Sequence, residues 1–97
     1  MIEHAVFFAV RPGTPGDAVD AMLGALRALP GAVPGIRSLS AGPTFTDRGK
    51  QFTHGLLVRF ESRADLATYL AHPAHVAVVQ EVVKPIADDV VVLDWES

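Results

Sequence analysis

The run Ile2 to Val10 puts Ile2, His4, Val6, Phe8 and Val10 on one face of a strand and Glu3, Ala5, Phe7 and Ala9 on the other, so both faces are mostly apolar. The closing run is built alike, with Val90-Val91-Val92-Leu93 and then Trp95. A strand in an antiparallel sheet that faces water on one side should be polar there. Two such strands therefore require a sheet covered on both sides, and this constrains the fold more than any other feature.

The segments between these strands set the rest. Arg11-Pro12-Gly13 breaks the first strand, and Thr14 as N-cap, Pro15 at the first helical position and Asp17 behind it predict a helix start. Val19, Met22, Leu23, Leu26 and Leu29 form one apolar stripe, and Pro30-Gly31 is expected to end the helix. A more polar strand follows over 36–41, with Ser38 and Ser40 suiting a sheet edge. Residues 42–51 read as a surface loop and 52–61 as a strand with Phe52, His54, Leu56, Val58 and Phe60 on one face. Ser62 with Asp65 repeats the N-cap pattern before a helix whose inner side carries Leu66, Ala67, Tyr69 and Leu70. His72-Pro73 interrupts that helix, because the residue before proline leaves the α region and the ring cannot continue the ladder. Pro73 then opens a second helical segment lined by His75, Val79, Val82 or Val83, and Ile86, and a strand over 89–96 ends the chain.

The order strand, helix, strand, strand, helix, strand is an α+β fold in a single domain, residues 1–97. Right-handed crossovers give a ferredoxin-like four-stranded antiparallel sheet with both helical regions on one face. The bare face carries Ala5, Phe7, Ala9, Val91, Leu93 and Trp95, or the equivalent set of the opposite parity, and both sets are apolar. Several hundred Å² of such surface reaches the largest apolar patch usual on a monomer, about 300 to 600 Å². The predicted partner is a second copy, a homodimer through the sheet faces.

Composition excludes several classes. Hydrophobic residues are 49% and charged residues 20%, as in an ordinary globular domain. The net charge is −3 and the arginines are scattered, so no nucleic acid is expected. Without cysteine there are no disulfides and no thiolate chemistry. No apolar stretch has the length of a membrane span, and Met1-Ile2-Glu3-His4 lacks a basic leader region; the expected location is cytoplasmic.

Four histidines remain to be explained: His4, His54, His72 and His75. His4 and His54 occupy otherwise apolar strand faces. They are either core histidines satisfied by backbone carbonyls or water, or two members of one cavity under the helices. Tyr69 and His75 flank the Pro73 break, where a gap in the helical layer would place an imidazole beside a phenol, a general base beside a hydrogen-bond donor. Asp94 is either a partly exposed strand end or a carboxylate that orients an imidazole. His72 and His75 are three apart, but the intervening proline spoils helical spacing and no carboxylate cluster accompanies them, so no metal site is assigned. The glycines form no phosphate-binding fingerprint, and no cofactor is expected.

The stretch Phe60-Glu61-Ser62-Arg63-Ala64-Asp65-Leu66-Ala67-Thr68-Tyr69-Leu70-Ala71-His72-Pro73-Ala74-His75-Val76 resembles the hallmark of the stress-responsive dimeric α/β-barrel (Dabb) family. Glu3-His4-Ala5-Val6, Phe52-Thr53-His54-Gly55 and Val92-Leu93-Asp94-Trp95 extend the resemblance over essentially the whole chain. It implies a ferredoxin-like unit that pairs through its sheets into a dimeric α/β barrel. The family includes plant polyketide cyclases of the olivetolic-acid-cyclase type, which close a poly-β-keto chain by aldol condensation without metal or cofactor, with a histidine base and a tyrosine partner. By this resemblance His75 is the base and Tyr69 its partner, His4 and His54 line the substrate pocket, and Asp94 lies near the base. One departure is that the plant cyclases carry a further tyrosine on the first helix, where this chain offers Met22 or an apolar neighbour.

Two functions follow. One is a stress-responsive homodimer that binds a small oxygenated molecule without turnover. The other is a cofactor-independent cyclase, lyase or isomerase in which His75 removes a proton next to a carbonyl and Tyr69 holds the enolate oxygen. A redox or heme role, as in related monooxygenase-like dimers, is a minor third.

Overall fold

The computed structural model describes residues 1–97. Strand β1 (Ile2–Val10) leads to α1 (Gly16–Arg27) and a short α2 (Leu29–Ala32), then β2 (Ile36–Pro43) and β3 (His54–Phe60). Helix α3 (Arg63–Ala71), helix α4 (Pro73–Val78), a π-helical turn (Val79–Val83) and β4 (Ala87–Glu96) complete the chain. The sheet is antiparallel in the order β2-β3-β1-β4, which puts serine-bearing β2 at one edge and β4 at the other.

Cross-strand register sorts the side chains into rows. On the helix-covered face, Asp94, His4, Val58 and Leu39 form one row, Val92, Val6, Leu56 and Ala41 the next, and Val90, Phe8, His54 and Pro43 a third. The core lies under α1 and α3, where Met22, Leu23, Leu26, Leu29, Phe60 and Tyr69 are buried against β1 and β3. At about 25 cal/mol per Å² of apolar area removed from water, this layer is the main source of stability.

The opposite face has no covering layer. Its rows are Trp95, Glu3, Arg59 and Ser38; then Leu93, Ala5, Leu57 and Ser40; then Val91, Phe7, Gly55 and Gly42. Phe7, Val91, Leu93 and Trp95 are 38%, 38%, 56% and 48% exposed. One polar cluster interrupts the apolar surface: the Glu3 carboxylate accepts from Arg59 Nε at 2.9 Å and from the Ser97 hydroxyl at 2.8 Å. The hydrogen bond from Ser97 and the Arg59 guanidinium together hold the Glu3 carboxyl below its ordinary pKa.

Two helix boundaries depart from expectation. Thr14 does not cap α1; its hydroxyl donates to the Arg11 carbonyl at 2.6 Å, and the helix begins after Pro15 without a side-chain cap. Pro30-Gly31 does not end the helical region, because Pro30 sits in the first turn of α2, where its missing N–H is no loss. Strand β3 starts at His54, two residues later than the alternation alone predicts. The Ser62 cap is formed as expected, its hydroxyl accepting from Asp65 N at 3.1 Å.

Candidate functional site

The break at Pro73 builds the site through its backbone consequences. In a continuous helix the Tyr69 carbonyl would accept from residue 73, but proline has no N–H, and the Tyr69 carbonyl accepts from His72 N instead, at 3.1 Å. The Leu70 carbonyl would accept from Ala74 N, but that N–H is taken by His72 Nδ1 at 3.0 Å, so His72 is the N-cap of α4. The carbonyl left over receives the His75 side chain, with Nδ1 3.1 Å from Leu70 O. A carbonyl only accepts, so His75 Nδ1 carries the proton and Nε2 keeps its lone pair.

Tyr69 is fully buried, with its ring centroid 4.4 Å from that of His75, 5.2 Å from Phe60 and, edge-on, 5.8 Å from His4. Its hydroxyl is buried with no hydrogen-bond partner. An unpaired buried hydroxyl costs roughly 1–3 kcal/mol, which is uncommon in a native fold outside functional positions. Burial pushes the Tyr69 phenol up to about 12, so at neutral pH it is a donor and not a base. Burial also depresses His75; the Leu70 bond opposes this and the nearby His4 adds to it, so the imidazole is neutral at pH 7.

His4 is buried, and its Nδ1 lies 2.5 Å from Asp94 Oδ1 across the β1–β4 pair. The carboxylate accepts, which sets the His4 tautomer as Leu70 sets that of His75. Asp94 thus orients an imidazole, but that of His4 and not of His75. Asp94 itself has a side chain 45% exposed at the cavity mouth.

These groups line a cavity of about 510 Å³ between β1, β4 and the helical layer. His4, Tyr69, His75 and Asp94 share it with an apolar wall that includes Val6, Phe8, Leu26, Leu56, Val79, Val83, Val90 and Val92, and with Lys84. The volume falls in the range of small-molecule sites, roughly 300–1,000 Å³. The π-helical turn forms part of one wall: Lys84 N donates to Val79 O at 2.9 Å, five residues back, and Val79 and Val83 line the cavity. Of the apolar residues of α1, Met22 is buried in the core and Leu26 lines the cavity.

His54 stands apart. It shares a face with His4 but lies two rows along, and it lines a separate hollow of about 430 Å³ with Phe7, Arg48, Phe52 and the 42–49 loop. Its Nδ1 is 2.8 Å from Thr53 Oγ1, and burial lowers its pKa. The first cavity therefore unites four of the five residues singled out in the sequence. His72 as a cap and Lys84 as a wall residue had not been singled out; a histidine just before an N1 proline was the available signal for the cap. No three His, Cys, Asp or Glu side chains gather as a metal site, and no helix is long and apolar enough to cross a membrane.

Comparison with known proteins places this geometry among relatives. Residues 2–97 match the family model described as Stress responsive A/B Barrel Domain. The chain is 38% identical over 96 residues to a stress-response A/B barrel domain-containing protein of Arabidopsis thaliana, and the match takes in 98% of this chain. It spans only 36% of the length of that plant relative. A dimeric ferredoxin-like protein of unknown function from Thermobifida fusca superposes with a TM-score of 0.87 at 21% identity, covering 99% and 90% of the two chains. A hydroxynitrile lyase from Passiflora edulis gives a TM-score of 0.87 at 22% identity, covering 97% and 90%.

Proposed function

The chain belongs to the stress-responsive A/B barrel domain (Dabb) family, and from that premise we propose that it is a homodimer whose cavity performs cofactor-independent proton transfer on a small carbonyl compound. The observation that carries this reading is Tyr69, whose buried hydroxyl has no partner and whose ring lies 4.4 Å from that of the neutral His75, both residues lining one cavity. A hydroxyl left unpaired by the protein is free for a substrate oxygen.

The chemistry follows from the two tautomers. His75 Nε2 takes a proton from the carbon next to a carbonyl, and the Tyr69 hydroxyl donates to the oxygen on which the enolate charge collects. The carbanion equivalent then adds to a second carbonyl carbon, and the imidazolium returns its proton to the new alkoxide. Protons balance and no electron acceptor is needed. The Asp94–His4 pair stands at one end of the cavity, and the nearby His4 adds to burial in keeping the His75 pKa below its ordinary value. That this fold carries a hydroxynitrile lyase in Passiflora edulis supports the choice of carbonyl chemistry.

Dimerisation through the bare sheet face is supported by its exposed apolar rows and by the dimeric ferredoxin-like neighbour. If 400 Å² were buried on each partner, about 20 kcal/mol gross would be gained before association costs.

Exchange of α-protons in D₂O, followed by NMR on a panel of simple ketones and aldehydes, tests the chemistry. The wild-type protein should accelerate exchange and His75→Ala should abolish the acceleration, a loss of about 10²- to 10⁴-fold. Equal exchange in the variant, or none above buffer for any compound, would refute the proposal.

A further inference from the structure

We infer that Lys84 reads a carboxylate at the end of the cavity remote from His75, so that the substrate is an extended oxo acid with its ketone at one end and its anion at the other. This rests on the carbonyl chemistry proposed above and adds the shape and charge of the compound.

Both walls of the cavity lead away from His4 and Tyr69 toward the end of β1. Along the sheet they pass from the row of His4 and Asp94 through Val6 and Val92 to Phe8 and Val90, and then to Ala87, which pairs with Val10. Four residues of strand from Asp94 to Val90 span roughly 13 Å, and the six from His4 to Val10, whose row holds Ala87, roughly 20 Å. Along the opposite wall the chain passes from His75, beside His4 and Tyr69, through Val79 and Val83 to Lys84, nine residues or roughly 13 Å at helical rise. Lys84 is tied to the far end independently, because Arg11, just past the end of β1, donates to Ile86 O through its backbone at 2.8 Å and to Pro85 O through its side chain at 3.1 Å.

The polar groups are therefore segregated. The acid-base set stands at one end, valines and phenylalanine line the middle, and Lys84 stands at the other end with neither a hydrogen-bond nor an ion-pair partner for its ammonium. The neighbouring cation is already committed, since Arg11 Nε is 2.9 Å from Asp88 Oδ1. One free ammonium matches one negative charge, which favours a carboxylate over a phosphate dianion. The apolar middle excludes a second charge, because an unpaired ion there would be desolvated without compensation.

The test is a calorimetric binding series of straight-chain acids bearing a methyl ketone at the end opposite the carboxylate, each compared with its methyl ester. Affinity for the acids should peak at a ketone-to-carboxylate distance between roughly 13 and 20 Å. At that length the acid should bind about five- to tenfold more tightly than its ester, a preference that shrinks with added salt. Lys84→Met should remove the preference while leaving the ester's affinity unchanged, and Lys84→Glu should reverse it. Tyr69→Phe should weaken acid and ester alike, since it acts at the ketone end. Equal binding of acid and ester at every length, or a preference that survives Lys84→Met, overturns the role of Lys84 and leaves the carbonyl reading standing. Failure of every ketone, acid or ester, to bind the wild-type protein overturns both.

Discussion

Strand β4 shows its two faces to very different surroundings. On the helix side Val90 and Val92 are 41% and 46% exposed; on the bare side Val91 and Leu93 are 38% and 56% exposed. The fractions overlap, yet one pair lines a concave cavity with two histidines, a tyrosine and a carboxylate, while the other lies on an open sheet face whose charged cluster is Glu3 with Arg59. Exposure of a valine does not separate a ligand site from a protein interface. What separates them is whether the covering layer stands off, as α4 and the π-helical turn do, or is missing altogether, and whether unpaired polar groups converge on the space.

If the two faces do separate work, a substitution on one should leave the other intact. The largest effect is expected from Leu93→Glu on the bare face. In a symmetric dimer it buries two unpaired carboxylates, and at about 3 kcal/mol each the dissociation constant should rise on the order of 10⁴-fold. Sedimentation equilibrium should show a wild-type dimer and a variant monomer at micromolar concentration, with the variant still binding ketones. A wild-type protein that sediments as a monomer there would sink the role given to the bare face.

Tyr69→Phe sharpens the contrast from the cavity side. Loss of the hydroxyl should lower the rate of α-proton exchange by about 10²-fold, in the range for removing one donor to a developing oxyanion. The same change should raise stability by roughly 1 kcal/mol, because the hydroxyl it removes is buried without a partner. Opposite signs in the exchange assay and in urea denaturation mark a group kept for function at a cost in stability. A variant that is less stable and equally active would mean the hydroxyl is satisfied within the protein. Dimerisation should not change in either case.

The faces were readable from sequence because a strand alternates, and the β1–β3 and β1–β4 pairs keep one register from Ile2 to Phe8, shifting only at Ala9/Val10 opposite β4. The break at Pro73 and the Ser62 cap were readable because each rests on one residue's chemistry. Position along a face was not readable. Parity places His4 and His54 on the same side, but only the register, which pairs His4 with Val58 and His54 with Phe8, shows them two rows apart and in different cavities. The π-helical turn has no side-chain signature either; Val79-Gln80-Glu81-Val82-Val83 would suit an ordinary helix, and the sequence leaves open whether Val82 or Val83 faces inward, where the structure puts Val83 beside Val79 in the cavity wall. Asp94 was legible as a carboxylate in an apolar strand, and its choice of His4 over His75 follows from the antiparallel pairing of β4 with β1.

The smallest effect separates the cavity from the bare face by pH. Burial holds the pKa of His75 below its ordinary value of 6.5. Between that lowered pKa and 6.5 the unfolded chain binds a proton that the folded chain refuses, so stability rises with pH across this window and levels off above it. Below the folded pKa both states are protonated at this group and its contribution to the slope vanishes. Exchange activity has the same sign, since only neutral His75 accepts a proton; it should climb as pH passes the folded pKa and be flat through neutrality, the Tyr69 phenol holding its proton until about 12. Thermal midpoints of wild type and His75→Gln from pH 4 to 8 should therefore differ in slope only below about 6.5, with the dimer equilibrium unaffected by the substitution. A wild-type slope that persists unchanged in His75→Gln would assign the acid sensitivity to other groups and leave His75 without the environment its role requires.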